Sequence, residues 1–382
     1  LRQTNRFKAP ALARVEAELF RAGRETGPPA GEAKRPIPAA ATAAPAVEIW
    51  ECSDPETEAT WLHLATDAGI DGFACCPRGA IALDLIARRI KPWLLGKNPL
   101  MKELLWHEIW EIDRIEEFPM YFLGLVDAAL WDLTAKAAKI PLYQLLGGYR
   151  DRLPAYASTV TFRTTEEFLD VADQCLARGF KAIKLHAWGD AKRDTALCVK
   201  LREHVGPDIA LMYDGSAGFN PYEALLVGRA CEEAGYYWYE EPMREFSINA
   251  YRRLCEQLDI PVLAAETSDG CHYNVADFIA QGAADMVRTS YFYKGGITGA
   301  LRVAHLADAF QLTAEVHGMG VENIHLGLAI RNNSYYETLI PCNPIAVEPL
   351  VGKDAHVRAP QAPGLGHDID LKTLKKIAVA KL

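Results

Sequence analysis

The sequence predicts an α/β protein whose second half is a closed barrel of parallel strands. Three observations carry this. From Leu153 onward, short β-rich runs alternate with amphipathic helices and no hairpin signal separates them, which requires parallel strands joined by return helices. About seven such units follow one another, a number that suits a barrel better than an open sheet. Asp214, Glu240 and Glu266 stand at equal intervals of 26 residues, each ending an apolar run, and a strand with its return helix takes roughly 25 to 30 residues.

Taken in order, residues 1 to about 46 are rich in Ala and Pro, as in Gly27-Pro28-Pro29. They carry no periodic pattern, and part of them is expected to be mobile. A helix is predicted over Ala80–Leu95, where Leu83, Ile86, Ile90 and Leu94 mark one face, and another over Tyr121–Ala138. Gly147-Gly148 closes a short helical turn at Leu142–Leu146. After Arg152 the predicted strands are Ala155–Thr159, Ala182–His186, Ala210–Tyr213, Tyr236–Glu240, Val262–Ala265, Met286–Thr289 and Thr313–His317, with an eighth near Tyr335–Leu339. Helices are expected between them at Thr165–Arg178, Asp190–His204, Pro221–Glu233, Ile248–Gln257, Asn274–Gln281 and Gly299–Ala309. The tail beyond Val351 contains Pro363-Gly364-Leu365-Gly366, a turn-rich return segment.

The chain of 382 residues is half hydrophobic and 24% charged, an ordinary composition for a globular protein. Its net charge of −9 argues against nucleic acid and anionic membrane as partners, though not against an anionic substrate in a locally cationic pocket. No apolar run approaches the roughly 18 residues of a membrane span, and the N-terminus shows no signal-peptide core. Nine cysteines, an odd number without CxxC pairs, read as reduced thiols in a cytoplasmic protein.

The barrel order places the three carboxylates at the C-terminal ends of successive strands, the face where barrel enzymes keep their chemistry. A single acidic residue after a strand is as readily a helix cap. Three that converge repel one another unless a cation neutralises them, and hard oxygen ligands suit Mg²⁺. Lys184 and His186 stand two apart on the preceding strand, so they share a face. A lysine beside a metal site can hold an anionic oxygen, and a histidine can exchange a proton near neutral pH. His317 ends a strand 51 residues, two units, beyond Glu266, which sets a second proton handler on the opposite flank.

At these residues the chain resembles the enolase superfamily, and within it the mandelate racemase-like group. The matching pieces are Lys-Leu-His at 184–186, Asp214 in Tyr-Asp-Gly, Trp-Tyr-Glu240-Glu241-Pro, Ala-Glu266-Thr, Lys-Gly-Gly-Ile-Thr-Gly at 294–299, His317, Ala128-Ala-Leu-Trp-Asp132 and Leu145-Leu-Gly-Gly. The resemblance covers roughly residues 80 to 345. It implies a (β/α)7β TIM-like barrel at 151–350 and an α+β capping domain from residues 1–150, to which residues 351–382 return. It also implies Mg²⁺ on Asp214, Glu240 and Glu266, proton abstraction α to a carboxylate, and stabilisation of the resulting enolate by the metal and Lys184. Glu337 falls where the group often hydrogen-bonds the substrate carboxylate.

Two departures stand out: His186 replaces the group's usual second lysine, and Ser290 replaces the aspartate that usually orients the barrel histidine. His317 is therefore expected either to have a lowered pKa or to find another partner, and Arg288 with Glu315 is proposed as a compensating inward-facing pair. The functional expectation is a hydro-lyase acting on an aldonate or aldarate, with His186 as base and His317 as acid, or the reverse. Racemisation or epimerisation, cycloisomerisation of a sugar lactone, and a non-catalytic sugar-acid sensor are the alternatives. Arg288, Tyr291 and Asn323 are weak candidates for the polar pocket, and a symmetric homo-oligomer is expected.

Overall fold

The computed structural model describes residues 12–21, 58–76, 79–367, 369 and 378–381. The Pro- and Ala-rich stretch read from the sequence falls largely outside them. The chain divides into two compact units, residues 1–145 with 361–382, and residues 146–360.

The first unit is built on a small antiparallel sheet. Strands β1 (Leu12–Arg21), β2 (Glu58–Thr66) and β3 (Asp71–Cys76) pair in sequence, and Ala378–Lys381 adds itself beside β1. The alternation of Val15, Ala17 and Leu19 with Glu16 and Glu18 was a readable strand signal. The helix Met120–Ala138 lies against this sheet so closely that a Cβ on Gly72 would meet the Ala129 carbonyl at 2.3 Å. That approach explains the small residues of Ala128-Ala-Leu-Trp-Asp132. Asp132 is fully buried and accepts the N–H of Phe73 (2.8 Å), the N–H of Leu365 (2.7 Å) and the Lys136 ammonium (2.6 Å), tying β3 to the returning C-terminal segment.

The helix expected over Ala80–Leu95 is interrupted: Gly79–Leu85 runs into a π-helical turn at Ile86–Ile90 and resumes at Lys91–Leu94. Pro92, with no N–H to give, sits at the start of the last piece, where the regular hydrogen-bond ladder cannot continue through it. The helix Lys102–Glu116, which the sequence reading left unassigned, occupies the stretch before Met120.

The second unit is the predicted barrel. Its parallel strands are β4 (Arg152–Thr159), β5 (Ala182–His186), β6 (Ala210–Asp214), β7 (Trp238–Glu240), β8 (Val262–Ala264), β9 (Met286–Thr289), β10 (Thr313–Val316) and β11 (Tyr336–Ile340). They run in the order β10-β9-β8-β7-β6-β5-β4-β11, and His356–Arg358 pairs antiparallel with β4. Side chains help span the seam between β10 and the approach to β11. Ala314 N donates to Asn332 O (2.8 Å), Val316 N to Asn333 Oδ1 (2.9 Å), and Ser334 N to Glu315 Oε1 (3.1 Å).

The return helices begin where polar caps stop the strands' extended run. Thr164, Asp190 and Ser247 each accept first-turn N–H groups, and Asn220 with Glu223 forms a reciprocal capping box. The helix Val321–Ala329 was not predicted, because its mixed run of apolar residues has no clear polar face. Inside the barrel, Tyr156, Ala182, Met212, Trp238, Leu263 and Met286 close-pack into a dry floor. Residues further along the same strands stand at the mouth above it.

One buried carboxyl in this unit sets a pH dependence. Burial pushes the Glu348 carboxyl up to about 7, although the Tyr336 hydroxyl beside it works the other way. A carboxyl whose folded pKa exceeds its unfolded value holds more protons in the fold, so its contribution falls as pH rises from about 4.5 to 7. The shift corresponds to about 3 kcal/mol. Glu348→Gln, neutral at every pH, is expected to narrow the difference in urea stability between pH 5 and pH 8 by about that amount. An unchanged difference would show that Glu348 does not titrate in this range.

Candidate active site

The register of the barrel brings the sequence-predicted residues together. His186 pairs with Asp214 across β5 and β6, and Asp214 pairs with Glu240 across β6 and β7, so all three stand in one row at the strand ends. Glu266 follows two residues after β8, His317 one residue after β10, and Glu337 lies within β11.

Their side chains meet in a largely buried cluster. Lys184 is fully buried and its ammonium lies 3.1 Å from Asp214 Oδ2, 2.9 Å from Glu240 Oε2 and 2.9 Å from Glu337 Oε1. Arg288, also fully buried, donates through Nε to Glu240 Oε1 and through Nη2 to the Tyr156 hydroxyl (2.8 Å) and Glu337 Oε2 (3.4 Å). Its Nε stands 3.6 Å from Glu266 Oε2. The His186 Nε2 lies 2.9 Å from Asp214 Oδ2, while its Nδ1–H donates to the Thr159 carbonyl at 2.7 Å. The His317 Nδ1 lies 3.2 Å from Glu266 Oε1 and 3.3 Å from Glu337 Oε2. Four carboxylates are thus matched by two permanent cations and two imidazoles.

This balance shapes the titration of each group. Burial works against charge on His317, yet Glu266 and Glu337 outweigh it and hold the imidazole up to about 10. His186 is likewise raised, burial opposing and Asp214 prevailing. Burial and the neighbouring carboxylates push Glu241 up to about 10, with Glu266 the strongest of those neighbours. The two histidine side chains retain 25% and 28% exposure while the acids and Lys184 have 9% or less. A small molecule at the barrel mouth therefore meets the imidazoles first.

The structure resolves the question of the absent aspartate. Ser290 Oγ accepts the N–H of Tyr293 (3.0 Å) and serves a local turn, while Glu266 and Glu337 take the place of a partner to His317. Arg288 makes its direct contacts with Glu240, Glu266 and Glu337, while Glu315, equally buried, accepts the Ser334 N–H and is acted on by the Arg288 charge without a direct contact. Asn323 is buried and donates to the carbonyls of His317 (2.8 Å), Gly318 and Met319, so it shapes the His317 loop from behind.

Several residues at the mouth adopt left-handed backbone without being glycine: Ser216 (φ 44°), Ala217 (φ 57°), Glu241 (φ 37°) and Ala265 (φ 67°). Such conformations persist only where surrounding contacts enforce them, and they gather at functional sites. Among the described residues no three acidic or imidazole groups form a ready cage for a metal, because Lys184 and Arg288 stand among the carboxylates. The donor set is nevertheless of the kind that suits a hard divalent ion: it is all oxygen, and Glu266 Oε2 is buried without a hydrogen-bond partner.

Known proteins similar to this chain cover most of its length. A family model described as "Enolase C-terminal domain-like" matches residues 167–373, and one described as "Mandelate racemase / muconate lactonizing enzyme, N-terminal domain" matches residues 40–147. A D-glucarate dehydratase from Agrobacterium tumefaciens, solved in complex with magnesium, is similar with a TM-score of 0.81 and 32% identity, over 98% of this chain and all of that one. Arabinonate dehydratase of Saccharolobus solfataricus is 27% identical over 74% of this chain and 80% of its own length. D-Galactarolactone cycloisomerase of Agrobacterium fabrum is 27% identical over 82% of this chain and 89% of its own.

Proposed function

Because the chain belongs to the enolase superfamily, in its mandelate racemase and muconate lactonizing enzyme branch, we propose that it is an acid-sugar dehydratase. The reading rests on one observation above others: two partly exposed imidazoles, His186 and His317, flank a single buried set of carboxylates. Names among the relatives point the same way, since they include arabinonate and glucarate dehydratases.

In this reading Asp214, Glu240 and Glu266 hold Mg²⁺, which supplies Lewis-acid stabilisation of the charge that develops on the substrate carboxylate. His186 is the base. The Thr159 carbonyl can only accept, so Nδ1 carries a proton, and Nε2, 2.9 Å from Asp214 Oδ2, would become the basic nitrogen once Asp214 turns to the metal and the proton between them is given up. His317, held protonated by its carboxylate neighbours, delivers a proton to the departing 3-hydroxyl. Lys184 supplies a fixed positive charge beside the substrate carboxylate, and Glu337 keeps both Lys184 and His317 in place. The product is a 2-keto-3-deoxy acid. Racemisation, epimerisation or cycloisomerisation by the same proton abstraction is the second reading, favoured by the cycloisomerase among the relatives.

Incubation with Mg²⁺ and a library of aldonates and aldarates in D₂O, followed by proton NMR, separates these. A 2-keto-3-deoxy product is the expected result. Loss of the C2 proton signal without elimination would instead place the protein with the isomerases, and silence across the library would sink the acid-sugar assignment. Glu240→Gln is expected to weaken Mg²⁺ binding and turnover together, each by at least about tenfold. Full activity in that variant would remove Glu240 from the metal site.

A further inference from the structure

Asp214 and Glu240 are held by the sheet itself, being paired residues of β6 and β7. Glu266 is not. The ladder of β8 ends at Ala264, opposite Val287, and Glu266 lies two residues past it. What fixes its backbone comes from elsewhere. Glu245, five residues past Glu240 in the loop after β7, accepts through the one oxygen Oε1 the N–H groups of both Ala265 and Glu266, the latter at 3.2 Å. Between the strand and Glu266, Ala265 is left-handed at φ 67°, a conformation L residues rarely take unless it is imposed. Next along the chain, the Thr267 N–H and hydroxyl donate to Glu241 Oε1 at 3.2 and 3.1 Å. Finally, the fully buried Lys294 ammonium donates to Ser268 O (2.9 Å) and Ser268 Oγ (3.2 Å).

Four consecutive residues are therefore pinned by ionisable side chains from two neighbouring loops, and only Glu245 reaches the two N–H groups that bracket the turn into Glu266. The second oxygen of Glu245 is buried without a hydrogen-bond partner, and the Ser268 backbone and the Lys294 charge also act on the carboxylate, so its polar neighbours belong to this same turn and its anchor.

We propose that Glu245 is a positioning residue, a backbone clamp that holds Ala265 left-handed and thereby aims the Glu266 carboxylate into the metal site. The inference rests on the reading of Glu266 as a metal ligand. A carboxylate accepting two successive N–H groups fixes the local backbone without touching metal or substrate, which is how outer residues commonly govern ligand geometry.

The test is Mg²⁺ and Mn²⁺ binding to the full chain by calorimetry, with circular dichroism to verify the fold. Glu245→Ala is expected to bind at least about tenfold more weakly. Glu245→Gln, which keeps an acceptor for both N–H groups, is expected to stay within about threefold of the wild type. The double variant Glu245→Ala/Ala265→Gly should recover much of the loss, because glycine takes the left-handed conformation without a clamp; a side chain of general structural value only would show no such suppression. Wild-type affinity in Glu245→Ala, or equal losses in the Ala and Gln variants, overturns the clamp. If the alanine variant does not fold, Glu245→Asp, one methylene short of reaching both groups, carries the test: weakened binding supports the clamp and unchanged binding overturns it. Glu266→Gln is the control. If it also binds metal as the wild type does, the metal assignment fails and the clamp falls with it; if it alone loses affinity, only the clamp fails.

Discussion

His317→Asn is expected to reduce dehydration by about 10² to 10⁴-fold, the range usual for a lost general acid, while leaving proton exchange at C2 of the substrate intact. The separation follows from the two flanks of the site. His186 has its Nδ1–H fixed on the Thr159 carbonyl and its Nε2 against Asp214, contacts that do not depend on what occupies position 317. His317 sits on the other side, between Glu266 and Glu337, where its proton is held rather than offered for uptake. His186→Asn is therefore expected to abolish exchange and elimination together. Measured in D₂O with a substrate from the library, the pair assigns the roles. Exchange that survives in the His186 variant and disappears in the His317 variant would reverse base and acid. Asparagine roughly preserves the shape of the ring's near side, so a fall in Mg²⁺ affinity in either variant would show that the histidine also serves the metal site.

Much of this site was legible because its residues obey the periodicity of the fold. Asp214, Glu240 and Glu266 repeat at the length of one strand and one return helix, and His186 with Lys184 repeats at the two-residue period of a strand. Glu337 was found by spacing alone, and the structure gives it a larger part than expected, joining Lys184, Arg288 and His317. What escaped the sequence has a common physical character. Glu241, Glu245 and Lys294 act on backbone N–H and carbonyl groups, whose identity no residue type records. The missing Asp partner at Ser290 was visible, but its replacement by two carboxylates from β11 and the loop after β8 depended on packing across the barrel. The first unit was read least well, although its helix Lys102–Glu116 carries an apolar stripe through Leu105, Trp106 and Ile109 that was a readable helix signal.

Replacing Arg288 is expected to destabilise the fold more than any other single change at the site, and divalent metal is expected to offset part of that loss. The guanidinium is wholly buried and is shared among Glu240, Glu337 and the Tyr156 hydroxyl, with Glu266 close by. In Arg288→Gln these carboxylates keep only Lys184 as a permanent counter-charge, and breaking a buried ion pair from one side costs about 3 to 5 kcal/mol. Arg288→Lys should fall between, since an ammonium restores the charge but cannot make the forked contacts to Glu240, Glu337 and Val316 O at once. If the cost is uncompensated negative charge, an ion that brings two positive charges to the same carboxylates relieves it. The stability gap between Arg288→Gln and wild type, measured by urea unfolding, should then shrink when Mg²⁺ is added to both. A gap that is the same with and without Mg²⁺ would mean that Arg288 contributes packing and shape rather than charge, and that the metal does not enter among Glu240, Glu266 and their neighbours.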